Sequence, residues 1–194
     1  MKPPLVARMV GGVILTGAAA TLLSRMRADF ERHHRLRTST TVMVYSGYAV
    51  HAATLGRLAC RPVVALPIPA TLGRIAGATS AATGAALLLA GADAFGSARQ
   101  LSGTDPGELV TDGIYRRSRN PQYLAHLLTS TAVSLAGRSA DGVALTAATA
   151  VVFNHWIRRE EDNLRQVFGQ PYRTYQDNTA RWLGRATPRG TARG

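Results

Sequence analysis

Cysteine occurs once, at Cys60, so no internal disulfide can form. Cysteine and histidine nowhere fall at the spacing of a metal site, and no metal is expected. Cys60 reads as a small apolar residue near a helix end. Lysine also occurs once, at Lys2, and the rest of the 23 basic residues are arginines. Acidic residues number only 11, which leaves a formal charge of +12. Such a balance points to nucleic acid or to an anionic membrane surface. The arginines are spread between apolar blocks rather than gathered in one patch, which argues against nucleic acid. Aromatics make up 6% of the chain, too few for a large soluble core built on rings. No internal repeat is evident.

What the chain has instead is long apolar blocks of Ala, Leu, Val, Gly and Thr, the composition of helices packed closely in lipid. The first, Leu5–Leu23, is about as long as a membrane span. A charged start gives it a weak signal-peptide look, but no small-x-small cleavage site follows, so it is expected as a retained span. Ser24–Arg37 reads as a charged loop, and its His-His-Arg triplet as solvated, because adjacent histidines on a helix diverge. The second block, Thr40–Cys60, contains Tyr48 and His51 on one helix face. They make interhelical hydrogen bonds or line a substrate cavity. Prolines at 62, 67 and 69 punctuate a connector. The third block, Leu72–Phe95, carries a ladder of small residues at Gly73, Gly77, Ser80, Ala81, Gly84 and Ala85, suited to close packing inside the monomer. The runs Tyr123–Ala136 and Val143–Ile157 are short, about 22 Å of helix each, and read as a helical hairpin.

Five spans result, and charge orients them. Arg25, Arg27, Arg32, Arg35 and Arg37, four arginines in Gly96–Asn120 and eight in the tail fall on one side. Lys2, Arg8, Arg57, Arg61, Arg74 and Arg138 fall on the other. The positive-inside rule puts the first side in the cytoplasm and the N-terminus outside. The expected fold is therefore all-α and polytopic, with residues 1–95 as three helices on the lipophilic-substrate side. Residues 96–185 form a core with the hairpin and a cytoplasmic site, and 186–194 a disordered tail.

Two polar blocks land on that cytoplasmic face. The first is GELVTDGIYRRSRNPQY, Gly107–Tyr123. Thr111 or Asp112 can cap a short turn, Gly113 permits a reversal, and Pro121 suits the first helical position after Asn120. The free N–H groups of that helix start, with Arg117 and Arg119, suit a carboxylate or phosphate. The second block, RREEDNLRQVFGQPYRTY, continues the last helix through Glu160 and Glu161, until Gly169 ends it. A carboxylate there can accept from a cation or a ribose. Tyr172 and Tyr175 suit the interface.

Read together, G-x-Y-x-x-x-R-N-P-x-Y and E-E-x-x-L-x-x-x-F-G-x-x-Y-x-x-Y resemble the isoprenylcysteine carboxyl methyltransferase and phospholipid methyltransferase group, over about Leu101 to Trp182. The resemblance implies a membrane enzyme that moves a methyl group from S-adenosylmethionine to a lipophilic or lipidated acceptor. It implies cofactor contacts at Gly107, Glu108, Leu109, Val110, Tyr115, Asn120, Pro121, Gln122, Tyr123, Glu160 and Glu161. Asn120 stands where many members have His. Trp156 stands where members often have Arg, with Arg158 and Arg159 close by as cationic substitutes. Cations and a helix start suit the cofactor's carboxylate, carboxylates its ammonium or ribose, and tyrosine faces its adenine or sulfonium. Arg119 and His126 are the catalytic candidates. Arg119 supplies charge, while His126, one turn past Gln122 and Tyr123, is a substrate-side base or a packing residue. A nicotinamide-dependent membrane reductase of related fold and a non-catalytic scaffold associating through the small-residue ladder are the alternatives.

Overall fold

The computed structural model describes residues 5–105 and 107–184, with side chains from residue 17 onward. The expected disordered tail, Lys2, Pro106 and the last three arginines lie outside the described residues, as does the side chain of Arg8. Among the described residues there is no strand, only a single bridge between Ala65 and Ser139. Five long helices carry the architecture: α1 (Leu5–His33), α2 (Thr38–Cys60), α3 (Ala70–Asp93), α5 (Pro121–Ala136) and α6 (Ala140–Phe168). A one-turn α4 (Ala98–Leu101), a 3-10 turn at Gly113–Arg116 and a short α7 (Gln170–Asn178) complete it.

The all-α expectation holds. One helix among the described residues, α3, is long and apolar enough to cross a membrane. Its outer face is apolar and exposed at Leu72, Ile75, Leu88 and Leu89. Its inner face is a seam of small residues against α5. A Cβ on Gly73 would stand 2.6 Å from the Leu135 carbonyl oxygen, and one on Gly77 2.9 Å from that of Ala132. Gly84 and Gly91 meet Thr129 and Gln122 in the same way, and the Ser80 hydroxyl donates to the Leu128 carbonyl at 2.9 Å. Positions 73, 77, 80, 84 and 91 fall on one heptad stripe, so α3 and α5 lie almost backbone to backbone. Ala81 and Ala85, expected in the ladder, face outward instead, because four-residue steps alone drift off the contact line.

One expected boundary moves. Ser24–Arg37 is not a loop: α1 continues to His33, and only His34–Arg37 turns the chain. The charged residues there are good helix formers. Arg27 and Glu31 pair one turn apart, while Met26 and Phe30, about 100° around the helix, bury in the main apolar core with Leu36, Val44 and Trp156. Asp29, buried beneath the turn, accepts from the Thr40 hydroxyl and from the Arg37 N–H. The fifth run continues, as expected, into the second polar block as one helix of 29 residues, α6, and the rest of that block enters α7. The Ser139 side chain caps its start by accepting from Gly142 N–H at 2.9 Å, and Gly169, at φ 56°, ends it.

The hairpin between α5 and α6 turns against α2. A Cβ on Gly137 would fall 2.5 Å from the Ala59 Cα, so only glycine fits there. At the opposite end of the bundle the α1–α2 turn, the end of α3, the start of α5 and the end of α6 come together, and the apolar core sits just beneath them.

Candidate active site

The segment between α3 and α5 is built to present backbone. Ser97 caps α4 through Gln100 N–H. The Gln100 amide then donates to the Glu108 carbonyl at 2.7 Å, fixing the Glu108–Val110 strip. Gly107 lets the strip pass: its φ is 53°, and a Cβ there would lie 2.6 Å from the Gln100 side chain. Beyond Gly113 the 3-10 turn buries Tyr115. Its hydroxyl accepts from the Gln122 amide at 3.2 Å, its carbonyl accepts from the Tyr175 hydroxyl at 2.7 Å, and Phe95 meets its ring edge-on.

Pro121 occupies the first helical turn of α5 and Asn120 the cap position, but the Asn120 side chain makes no cap bond. Its amide donates to the Arg181 carbonyl at 2.9 Å. Arg119 N–H donates to the Ala180 carbonyl, and Gly184 N–H to that of Arg117. The stretch after α7 is thus strapped along residues 117–120.

The two adjacent glutamates separate in role, because neighbours on a helix point about 100° apart. Glu161 is buried and compensated. Arg181 reaches it with two nitrogens at 2.6 and 3.0 Å, Arg119 Nη2 lies at 3.1 Å, and Arg165 Nη2 at 3.8 Å. Glu160 has neutral donors only: the Tyr123 hydroxyl at 2.8 Å and the Trp156 indole N–H at 3.2 Å. Among the described residues no Arg or Lys pairs with it. Burial pushes its carboxyl up to about 7; the two hydrogen bonds oppose this and the Glu161 charge adds to it.

Both glutamates face a cavity of about 540 Å³, well within the range of small-molecule sites. Its walls come from the α1–α2 turn, α2, the end of α3, the connecting segment, the start of α5, the end of α6 and α7. Glu108, Leu109, Val110, Tyr115, Arg119, Asn120, Gln122, Tyr123, His126, Glu160 and Glu161 all line it. Gly107 stands behind the strip as its hinge, and Pro121 is buried beneath the cap. Arg159 does not reach the cavity: it is exposed and borders a smaller groove of about 360 Å³ with Arg27 and Asp162. At position 156 the Trp156 indole donates to Glu160. Two wall atoms are buried without a hydrogen-bond partner, Arg119 Nε and His126 Nε2.

Several wall residues escaped the sequence. Phe30, Thr41 and Val44 come from the first two helices, and His34 is held there by Asn163, whose amide donates to its carbonyl at 3.2 Å. Arg181, which ties down Glu161 from outside the wall, carried no signal, lying past the last recognisable motif position. Tyr48 did carry one, sharing a face with His51. Deeper in, the His126 ring stacks among Tyr48, His51 and Phe153, with centroids 5.0 to 5.2 Å away.

Fold and cavity define an all-α protein with a cavity of small-molecule size at one end of its bundle, lined by charged groups at Arg119, Glu160 and Glu161 and by aromatic and apolar ones. The family described as phospholipid methyltransferase matches residues 72–171, just over half the chain, from the start of α3 past both glutamates. The chain belongs to that family, and membership implies methyl transfer. No curated protein and no solved structure matches it.

Proposed function

We propose that this chain moves a methyl group from S-adenosylmethionine to a lipophilic acceptor at a membrane. The observation that carries this reading is the pairing of unlike polar groups across one cavity. Glu160 is a carboxylate with neutral partners only, and Arg119 holds a buried, unpartnered Nε. A ligand that carries both a cation and a carboxylate would satisfy both. The amino-acid end of the cofactor does so: Arg119 would hold its carboxylate, while Glu160 would hold the ammonium, with the sulfonium near the rings of Tyr115 and Tyr123. Glu161 already has its arginines and acts by positioning Arg119. Bound there, the cofactor supplies an electrophilic methyl group on a positively charged sulfur. The residues contribute proximity and orientation, the main sources of catalysis in a displacement.

The acceptor enters from the side in this reading. Tyr45 and Leu88 line the cavity and are still 52% and 51% exposed. They lie on α2 and α3, which scarcely touch each other, while α5 packs against both. An apolar gap between two helices suits a lipid chain. The apolar runs within α1, α2, α3, α5 and α6 are the five proposed spans, the last of them Val143–Ile157, so that Glu160 and Glu161 stand at the membrane edge outside it, with residues 1–95 as the acceptor side and 96–185 as the cofactor side. The arginine-rich end is cytoplasmic and the N-terminus outside. The scaffold alternative rested on the small-residue ladder, and α5 already covers that face of α3.

Calorimetry on the detergent-purified chain tests the reading, with S-adenosylmethionine, its demethylated product and NADPH as ligands. Micromolar binding of the first two, weakened by both Tyr115→Ala and Glu160→Ala, is the expected result. A folded protein that binds only the nicotinamide cofactor would overturn it in favour of the reductase.

A further inference from the structure

Two arginines meet Glu161, one from before it in the chain and one from after, and they meet it differently. Arg181 grips both carboxylate oxygens: its Nε donates to Oε1 at 3.0 Å and its Nη2 to Oε2 at 2.6 Å. Its third nitrogen, Nη1, donates to the Asn154 side-chain oxygen at 3.5 Å. Every nitrogen of that guanidinium is engaged, and Arg181 stands outside the cavity wall. Arg119 meets one oxygen only, through Nη2 at 3.1 Å, and it lines the cavity. Arg165 stands off at 3.8 Å and is held by Asp162 at 2.6 Å and by Gln176 at 2.9 Å.

The backbone fixes this difference. The Asn120 amide donates to the Arg181 carbonyl at 2.9 Å, the Arg119 N–H to the Ala180 carbonyl at 3.0 Å and the Gly184 N–H to the Arg117 carbonyl at 3.1 Å. The strap is thereby held in a register that brings both guanidinium groups to one carboxylate. Asn120, free of any cap bond, sets that register beside Arg119. Arg181 itself lies beyond residues 72–171, the stretch that matches the family.

A buried carboxylate must be compensated, and when one partner is stripped away it draws harder on those that remain. With Arg181 in place, a two-pronged fork serves both oxygens of Glu161, the strongest arrangement that an arginine offers a carboxylate. Arg119 then gives Glu161 a single nitrogen, and the rest of its guanidinium can meet a second anion. Without Arg181 the nearest cation is Arg119, and Glu161 would claim it whole. Resting on the methyltransferase reading, we propose that Arg181 is a positioning residue for the cofactor: by occupying Glu161 it keeps Arg119 available to the cofactor's carboxylate. Arg181 touches neither cofactor nor acceptor and acts only through this contest between two carboxylates for one arginine.

The test is calorimetry on the full chain in detergent, with S-adenosylhomocysteine as the ligand. Arg181→Ala should weaken its binding about 10- to 100-fold, the loss of a charge-assisted contact to the ligand's carboxylate. 5′-Methylthioadenosine, which lacks the amino-acid end, should bind wild type and variant alike, which also reports folding. Adding Glu161→Gln to Arg181→Ala should bring S-adenosylhomocysteine back to within about threefold of wild type, because a neutral side chain no longer claims Arg119. Arg181→Lys, which keeps the charge but cannot fork both oxygens, should lose about three- to tenfold and serves if the Ala variant does not fold. Equal affinity for S-adenosylhomocysteine in wild type and both single variants would overturn the proposal. So would a double variant as weak as Arg181→Ala, or an equal loss of both ligands, since a strap that only braces the fold gives those results. A folded wild type that does not bind S-adenosylhomocysteine overturns the methyltransferase reading itself, and that outcome is read before any variant is made.

Discussion

Glu160→Gln should make the free protein more stable and the cofactor complex weaker. The carboxyl stands at about 7 against an ordinary 4.5, because burial penalises the charged form more than two neutral hydrogen bonds repay. The sign follows from the raised value. Between about 4.5 and 7 the folded chain holds a proton that the unfolded chain has released, so folding stability falls as pH rises through that window and levels off above it. The difference amounts to about 3 kcal/mol at pH 8, lowered toward about 2 by the solvent contact the side chain keeps. Glutamine can accept from Tyr123 and Trp156 without carrying charge, so it removes the penalty. Its gain should be near zero at pH 4.5 and largest above pH 7. Binding should move the other way. A cation favours the carboxylate, so wild-type affinity for S-adenosylmethionine should rise as pH goes from 6 to 8, and the variant should bind about 10- to 100-fold more weakly. Thermal unfolding in detergent across pH 5–8, with and without the cofactor, reads both effects. A variant less stable than wild type at pH 8 would refute the argument, since Glu160 would then be stabilising the fold.

Two further substitutions probe what holds the site in place. Arg181→Ala removes two of the donors on Glu161 but leaves Arg119 and Arg165, so the cost should be about 1–2 kcal/mol rather than that of stripping a buried charge bare. Hydrogen exchange should rise selectively in residues 179–184 and 117–120, the two segments the strap joins. On α3, Gly77→Val should cost about 1–3 kcal/mol because its side chain has no room beside the Ala132 carbonyl, whereas Ala81→Val, on the outer face, should leave the unfolding temperature within a degree or two.

Much of the bundle was legible without coordinates because its signals are local. Pro69 before α3, Pro121 at the start of α5 and Gly169 after α6 mark boundaries through backbone geometry alone. The polar strip from Glu108 to Tyr123 and the Glu160–Glu161 pair could be picked out as blocks because their residue types cluster between apolar runs. Charge was a poorer guide. Ser24–Arg37 read as a loop from its arginines, yet Met26 and Phe30 needed only a neighbour at Trp156 to make it helix.

The sequence by itself determined an all-α chain, the family to which it belongs and which stretches approach one another at the arginine-rich end. Tertiary structure decided the roles within that end. Two identical neighbours, Glu160 and Glu161, cannot be told apart in a string of letters. One helical step turns Glu161 into three arginines and leaves Glu160 facing a tyrosine, an indole and open space. The same holds for Arg181, drawn in by a buried carboxylate 20 residues earlier, and for Arg159, which the helix turns away from the cavity. Residue type fixes what chemistry a side chain can offer; its rotation about the helix and the partners packed against it fix whether that chemistry is already spent.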